Sequence, residues 1–144
     1  MSFIKSIMPA PHTPFTALVA NCIRWARWEA LIETRGLHID RPAHTAHPDY
    51  PTVVYPVDYG FIPDTCGSDG EPVDCFSGTA NTGLVALLLT NDRRQDVRQG
   101  KWLYNCTPTE IYTVHGFINY APQLLTGRLV MRQPMHTLWQ EHAE

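Results

Sequence analysis

The segment VVYPVDYGFIPDTCGSDGEPVDCF, residues 53–76, gathers four aspartates and one glutamate among three glycines and three prolines. Carboxylates crowded together repel one another, which raises their pKa values and costs stability. Such a segment therefore either spreads its acids into solvent or gathers them around a cation. Asp69, Glu71 and Asp74 stand at i, i+2 and i+5, with Gly70 and Pro72 bending the chain between them. In an extended chain, i and i+2 point to the same side, and the turn can bring Asp74 round to the same point. Three carboxylates converging from one loop suit a hard divalent cation, because Mg²⁺ takes a few carboxylates and keeps several waters. A solvated Asp/Gly turn is the other reading, and spacing alone leaves both open.

The elements that must position these acids can be read from punctuation and periodicity. Thr13-Pro14 is a helix start, a Thr cap followed by Pro where its missing N–H costs nothing. Phe15, Leu18, Val19, Cys22, Ile23 and Ala26 follow helical spacing, which predicts one helix over 14–34 with Gly36 as its stop. Leu37–Pro42 alternates as a strand, and AHTAHPDYP is a loop. Thr52–Val57 reads as a strand that continues after a kink in YGFI. PDTCGSDGEP is a long turn and VDCFSG a strand. Gly83–Thr90 is a continuous apolar run, as in a strand buried on both sides. NDRRQDVRQG is a polar connection answered by the strand KWLYNC. Thr107-Pro108-Thr109-Glu110 is a capping box, which predicts a helix over Pro108–Asn119. GRLVMRQP is the last strand. The expected fold is α+β: a small, mostly antiparallel sheet of about five strands, curled into an OB-like barrel, with two flanking helices. One domain spans 1–144, with residues 1–12 as an arm and a frayed tail from Met135.

Composition narrows the function classes. The chain has 144 residues, of which 44% are hydrophobic, and a formal net charge of −3. That suits one domain with a real core. Basic residues are scattered, so no nucleic-acid stripe is expected. No long apolar run or secretory leader is evident, which predicts a cytoplasmic protein with no membrane partner. Cys22, Cys66, Cys75 and Cys106 form no CxxC pair, which predicts simple reduced thiols and no zinc site. His44 and His47 read as loop residues, His115 as structural, and the tryptophans as packing residues.

In order, Tyr55-Pro56, Tyr59-Gly60 and Asp69-Gly70-Glu71-Pro72-x-Asp74 resemble the signature region of the soluble family I inorganic pyrophosphatases. The likeness is strong over about 25 residues and weaker from about Leu37 to Cys106. It implies a five-stranded barrel with flanking helices, hydrolysis of inorganic diphosphate to two phosphates, and Mg²⁺ as cofactor, with Mn²⁺ as a substitute. The physical need is plain, since metals must neutralise a densely anionic substrate and acidify the attacking water.

Residue by residue, the resemblance implies Asp69 and Asp74 as metal ligands, with Asp69 also near the attacking water. Glu71 stands where the family has Asp and takes the part of base or water-orienting group. Arg41 is the phosphate-binding Arg, and Tyr55 and Tyr59 match the two site tyrosines, one on substrate and one catalytic. The family's D-x4-D-x-K arrangement resembles NDRRQDVRQGK, which is two residues longer between Asp92 and Lys101. Asp92 fits the first aspartate and Lys101 the Lys that contacts substrate. Gln99 replaces the second aspartate in that register, with Asp96 as a nearby metal ligand. The other register would use Asp96 and Arg98. Arg27-Trp28-Glu29 has the spacing of the family's Lys-x-Glu but lies in a predicted helix, and the family's C-terminal Tyr-Lys has no match. Two further readings stand beside diphosphate hydrolysis: a metal-dependent hydrolase of a nucleotide or other organic diphosphate, and a weakened phosphate- or metal-binding homologue. A homo-oligomer is expected in each case.

Overall fold

The computed structural model describes residues 14–142, so the arm expected over 1–12 lies outside the described residues. Helices α1 (Pro14–Cys22) and α2 (Trp25–Arg35) precede strands β1 (His38–Arg41), β2 (Asp58–Ile62), β3 (Val73–Ser77), β4 (Leu84–Asp92) and β5 (Val97–Tyr104). Helix α3 (Pro108–Ile118), strand β6 (Leu125–Met131) and helix α4 (Met135–His142) follow. The six strands form one sheet in the order β1-β2-β3-β5-β4-β6, antiparallel except where β3 runs parallel to β5. The α+β reading holds, with six strands in a linear order whose edges are β1 and β6.

Strand alternation sorts the core into two layers. Phe76, Leu88, Leu103, Leu129 and Met131 pack on one face against Ile111, Val114 and Ile118 of α3 and Met135 and Leu138 of α4. Cys75, Leu87, Trp102 and Val130 pack on the other against Ala20 of α1 and Ile32 of α2. Strand β4 is buried from Leu84 to Leu88 because helices cover both its faces. The capping box forms as expected: Thr107 Oγ1 accepts from the Glu110 amide and Glu110 reaches back to the Thr107 amide. Cys75 and Cys106 are buried thiols, and Cys22 and Cys66 exposed ones.

Three expectations are corrected. The single helix over 14–34 is two, because Arg24 leaves helical geometry at φ −92°, ψ 71°. The Trp25 indole there donates to the Ala20 carbonyl at 3.0 Å. Thr52–Val57 is not a sheet strand. Its amides pair locally instead, Tyr55 N–H to Thr45 O at 3.0 Å and His47 N–H to Val53 O at 2.8 Å, with one isolated bridge between Ala46 and Val54. Pro51 and Pro56 bracket the segment and each lacks a ladder donor. The tail from Met135 is helical rather than frayed, because Met135 and Leu138 bury into the α3 layer.

Gly60 is fixed by close approach. It pairs with Ile39 of β1, and a Cβ at Gly60 would run into the His38 carbonyl oxygen. Gly60→Ala must push β1, and with it Arg41, away from β2. Overpacking of this kind costs about 1–3 kcal/mol, so thermal unfolding should show a lower Tm. An unchanged Tm would mean that the β1–β2 contact is looser than described.

Candidate active site

The acidic turn is built by its small residues. The Thr65 hydroxyl donates to the Ile62 carbonyl and accepts from the Val73 amide at 2.9 Å, closing the base of the loop. Gly67 N–H meets the Glu71 carbonyl at 2.7 Å, and Gly70 takes φ +83°, which only glycine adopts easily. The Asp69 carboxylate accepts the Glu71 amide at 3.1 Å. Its other oxygen makes a short hydrogen bond to the Gln99 amide. That Gln99 bond, followed by the Glu71 amide, holds Asp69 below the usual carboxylate range.

Register brings the remaining groups beside it. Asp74 of β3 sits opposite Lys101 of β5, and Tyr59 of β2 opposite Phe76 of β3. All project from the face that carries the α3 layer, where that layer turns polar. Lys101 is only 8% exposed. An ammonium has three N–H donors, and here each has a partner: Asp74 Oδ2 at 2.8 Å, the Tyr59 hydroxyl at 2.7 Å and Gln99 Oε1 at 3.0 Å. Tyr59 and Asp74 are thus joined through the Lys101 ammonium. Burial first, and then the Asp74 charge, push the Tyr59 phenol far above its ordinary range, so it stays protonated.

On the open side, Arg41 donates to the Tyr55 hydroxyl at 2.6 Å, with its guanidinium carbon 5.5 Å from the Tyr55 ring centroid. A bulge between Ile39 and Arg41 re-aims this end of β1. The Tyr55 and Tyr59 rings stack at 5.3 Å, and Tyr55 also packs on Phe117. Both tyrosines are thus packing residues and members of the polar cluster at once. His47 stacks on Tyr55 at 6.3 Å, and its Nδ1 accepts the Asp49 amide. Burial, followed by the Arg41 charge, lowers its pKa. From sequence, His47 reads as a surface or loop-packing residue, with substrate contact or loop closure as the alternative; no spacing signal marks its place beside Arg41.

The structure thus brings together Arg41, Tyr55, Tyr59, Asp69, Asp74 and Lys101, with Glu71 held beside Asp69 through its backbone. It does not bring Asp92 and Asp96 to them. Asp92 pairs with Val97 at the tip of the β4–β5 hairpin, whereas Lys101 sits opposite Leu88. Asp92 instead forms an ion pair with Arg94 at 2.9 Å, which also donates to the Tyr50 hydroxyl. Asp96 occupies the tip itself at φ 52°. Arg98 alternates to the other side of β5 from Lys101. Glu29 ties α2 to the sheet, accepting from the Leu84 amide at 2.8 Å and from Arg132 at 2.9 Å.

These placements bear on metal binding. Among the described residues, no three His, Cys, Asp or Glu side chains form a ready-made cage. The expected convergence of three or more acids is therefore not found. Its physical reason is Gln99, whose amide bridges Asp69 to Lys101, and Lys101 then supplies the positive charge beside Asp74. The donor set still fits a Mg²⁺-like ion, which needs one or two carboxylates and completes its shell with water and substrate phosphate oxygens.

Residues 27–89 match the family model described as inorganic pyrophosphatase. The chain is 32% identical over 92 residues to an inorganic pyrophosphatase of Picrophilus torridus, covering 62% of this chain and 49% of that protein. It is 46% identical over 48 residues to one of Ralstonia nicotianae, covering 33% of this chain and 24% of that protein. The chain therefore spans about half, or less, of the curated relatives that it matches. The inorganic pyrophosphatase of Thermus thermophilus shares the fold, with a TM-score of 0.50 at 19% identity over 73% of this chain and 84% of that one.

Proposed function

From a chain related across residues 27–89 to the inorganic pyrophosphatases, we propose Mg²⁺-dependent hydrolysis of inorganic diphosphate to two phosphates. The observation that carries this reading is the set in which Gln99 bonds Asp69 and Lys101, and Lys101 bonds Asp74 and Tyr59, lying beside the Arg41–Tyr55 pair. It sets anion-binding cations next to carboxylates that can take a divalent ion. Asp69 and Asp74 would hold that ion, and Mn²⁺ would substitute for Mg²⁺. When bound, the metal neutralises substrate charge and acidifies water.

This chain's own groups do the rest. Arg41 spends a donor on Tyr55 and keeps others for two phosphate oxygens, a fork that matches phosphate geometry. Lys101 must give up one of its three present partners to reach a phosphate. Tyr59, kept protonated by burial and Asp74, acts as a hydrogen-bond donor and not as a base. Glu71 is exposed, and its carboxylate has no recorded hydrogen bond or ion pair among the described residues, which leaves it free to accept a proton from water.

Glu71→Gln should therefore lose hydrolysis while still binding Mg²⁺, and Glu71→Asp should keep part of the activity. Phosphate release and Mg²⁺ titration on both variants check this, and a fully active Glu71→Gln would remove Glu71 from the chemistry. The reading as a whole is tested by phosphate release from diphosphate and from nucleoside triphosphates, each with and without Mg²⁺. Release from diphosphate, only with metal, is the expected result. Preference for the triphosphates would favour an organic substrate.

A further inference from the structure

On the opposite face of the sheet from Lys101, α2 lies over β4 and β5 and leaves a cleft of about 780 Å³. Clefts of this size hold small organic ligands. Helix α2 and its N-cap present Arg24, Arg27, Trp28, Leu31 and Arg35 to it, at i, i+3, i+4, i+7 and i+11. This is the stripe that an amphipathic helix normally fills with apolar residues, yet three of the five positions are arginine. The floor is aromatic, since Trp28 and Trp102 pack at 5.0 Å with Leu87 beside them.

The charge is one-sided. Among the described residues, no Asp or Glu lines this cleft, and Asp69 and Asp74 line the adjoining one. Arg24 and Arg27 make no hydrogen bond or ion pair among the described residues. Arg35 donates to the Pro63 and Asp64 carbonyls, at 3.3 and 2.6 Å, which orients its guanidinium without neutralising it. Like charges gathered in a concavity raise the local potential and favour an anion there. Guanidinium forks match phosphate oxygens, and an indole floor matches a flat ring.

We propose that this cleft binds a planar aromatic organophosphate of the nucleoside phosphate class. The ring lies on Trp28, and the phosphate meets Arg24 and Arg27. The cleft adjoins a second one that shares Trp28, Leu87 and Trp102 and is lined also by Asp69, Asp74 and Gln99, but Arg24 and Arg27 do not line that second cleft.

The test is tryptophan fluorescence of the full chain titrated without metal, using adenosine monophosphate, uridine monophosphate, adenosine and ribose 5-phosphate. Saturable quenching by the monophosphates is expected, at least tenfold tighter than by adenosine or ribose 5-phosphate. The exposed pair Arg24→Gln/Arg27→Gln should weaken it at least tenfold with an unchanged melting curve. Trp28→Phe should retain binding and Trp28→Leu lose it. Absence of saturable binding, equal binding of ribose 5-phosphate, or an unaffected double Arg variant would each overturn the proposal.

Discussion

Asp74→Asn is expected to abolish measurable diphosphate hydrolysis and to lower Mg²⁺ affinity, while Asp64→Asn leaves both nearly unchanged. Asp74 is the point at which Lys101, Tyr59 and the proposed metal meet. Asparagine keeps an acceptor for Lys101 but removes the negative charge. The loss should exceed the ~10–100-fold typical of a residue that only orients a metal ligand. Asp64 provides the contrast. It sits in the turn at φ 59°, and its recorded contact is the backbone carbonyl that accepts from Arg35. Asn tolerates that left-handed conformation well. The parent and both variants are compared by phosphate release and Mg²⁺ titration, with melting curves to confirm folding. Hydrolysis by Asp74→Asn at the parent's rate would make the acidic segment a solvated turn and nothing more.

Lys101→Ala is expected to act on stability and substrate binding together. It removes three hydrogen bonds at a position 8% exposed and leaves Asp74 half-buried without its counter-charge. Breaking such a pair from one side costs about 3–4 kcal/mol, the lower part of the range for buried pairs. KM for diphosphate should rise at least tenfold. Arg98→Ala, exposed and on the other side of β5, should stay within about 0.5 kcal/mol of the parent and leave KM unchanged. Unfolding curves and steady-state kinetics on the two variants decide. The reverse pattern would make Arg98 the phosphate contact.

Much of this arrangement was legible in residue types. The apolar run of β4, the β3 segment and the Thr107–Glu110 capping box each carry a local physical signal, and each forms where expected. The tyrosine, glycine and acid motif located the cluster because its spacing is rigid. What failed was set by partners distant in sequence. Thr52–Val57 has strand-forming residues, but its amides are taken by residues 44–47. Asp92 matched by counting along a loop, whereas the β4–β5 ladder fixes its true height, opposite Val97 at the hairpin tip. Gln99 could be read as a missing carboxylate, but its role as a bridge depends on the Asp69 loop folding back onto β5. The break at Arg24 was hidden by unbroken helical spacing on both sides of it. Gly60 stood out as part of a motif, but its reason is the approach of the His38 carbonyl, which only the paired strands reveal.

The central claim is that the Asp69–Gln99–Lys101–Asp74 cluster supports metal-dependent attack on diphosphate. The most direct measurement is the initial rate of phosphate release from diphosphate by the purified chain across a Mg²⁺ titration, with folding monitored in parallel. The account predicts no release without Mg²⁺ and a saturable rise with it. A folded chain that releases no phosphate above the buffer rate at any Mg²⁺ concentration would contradict it.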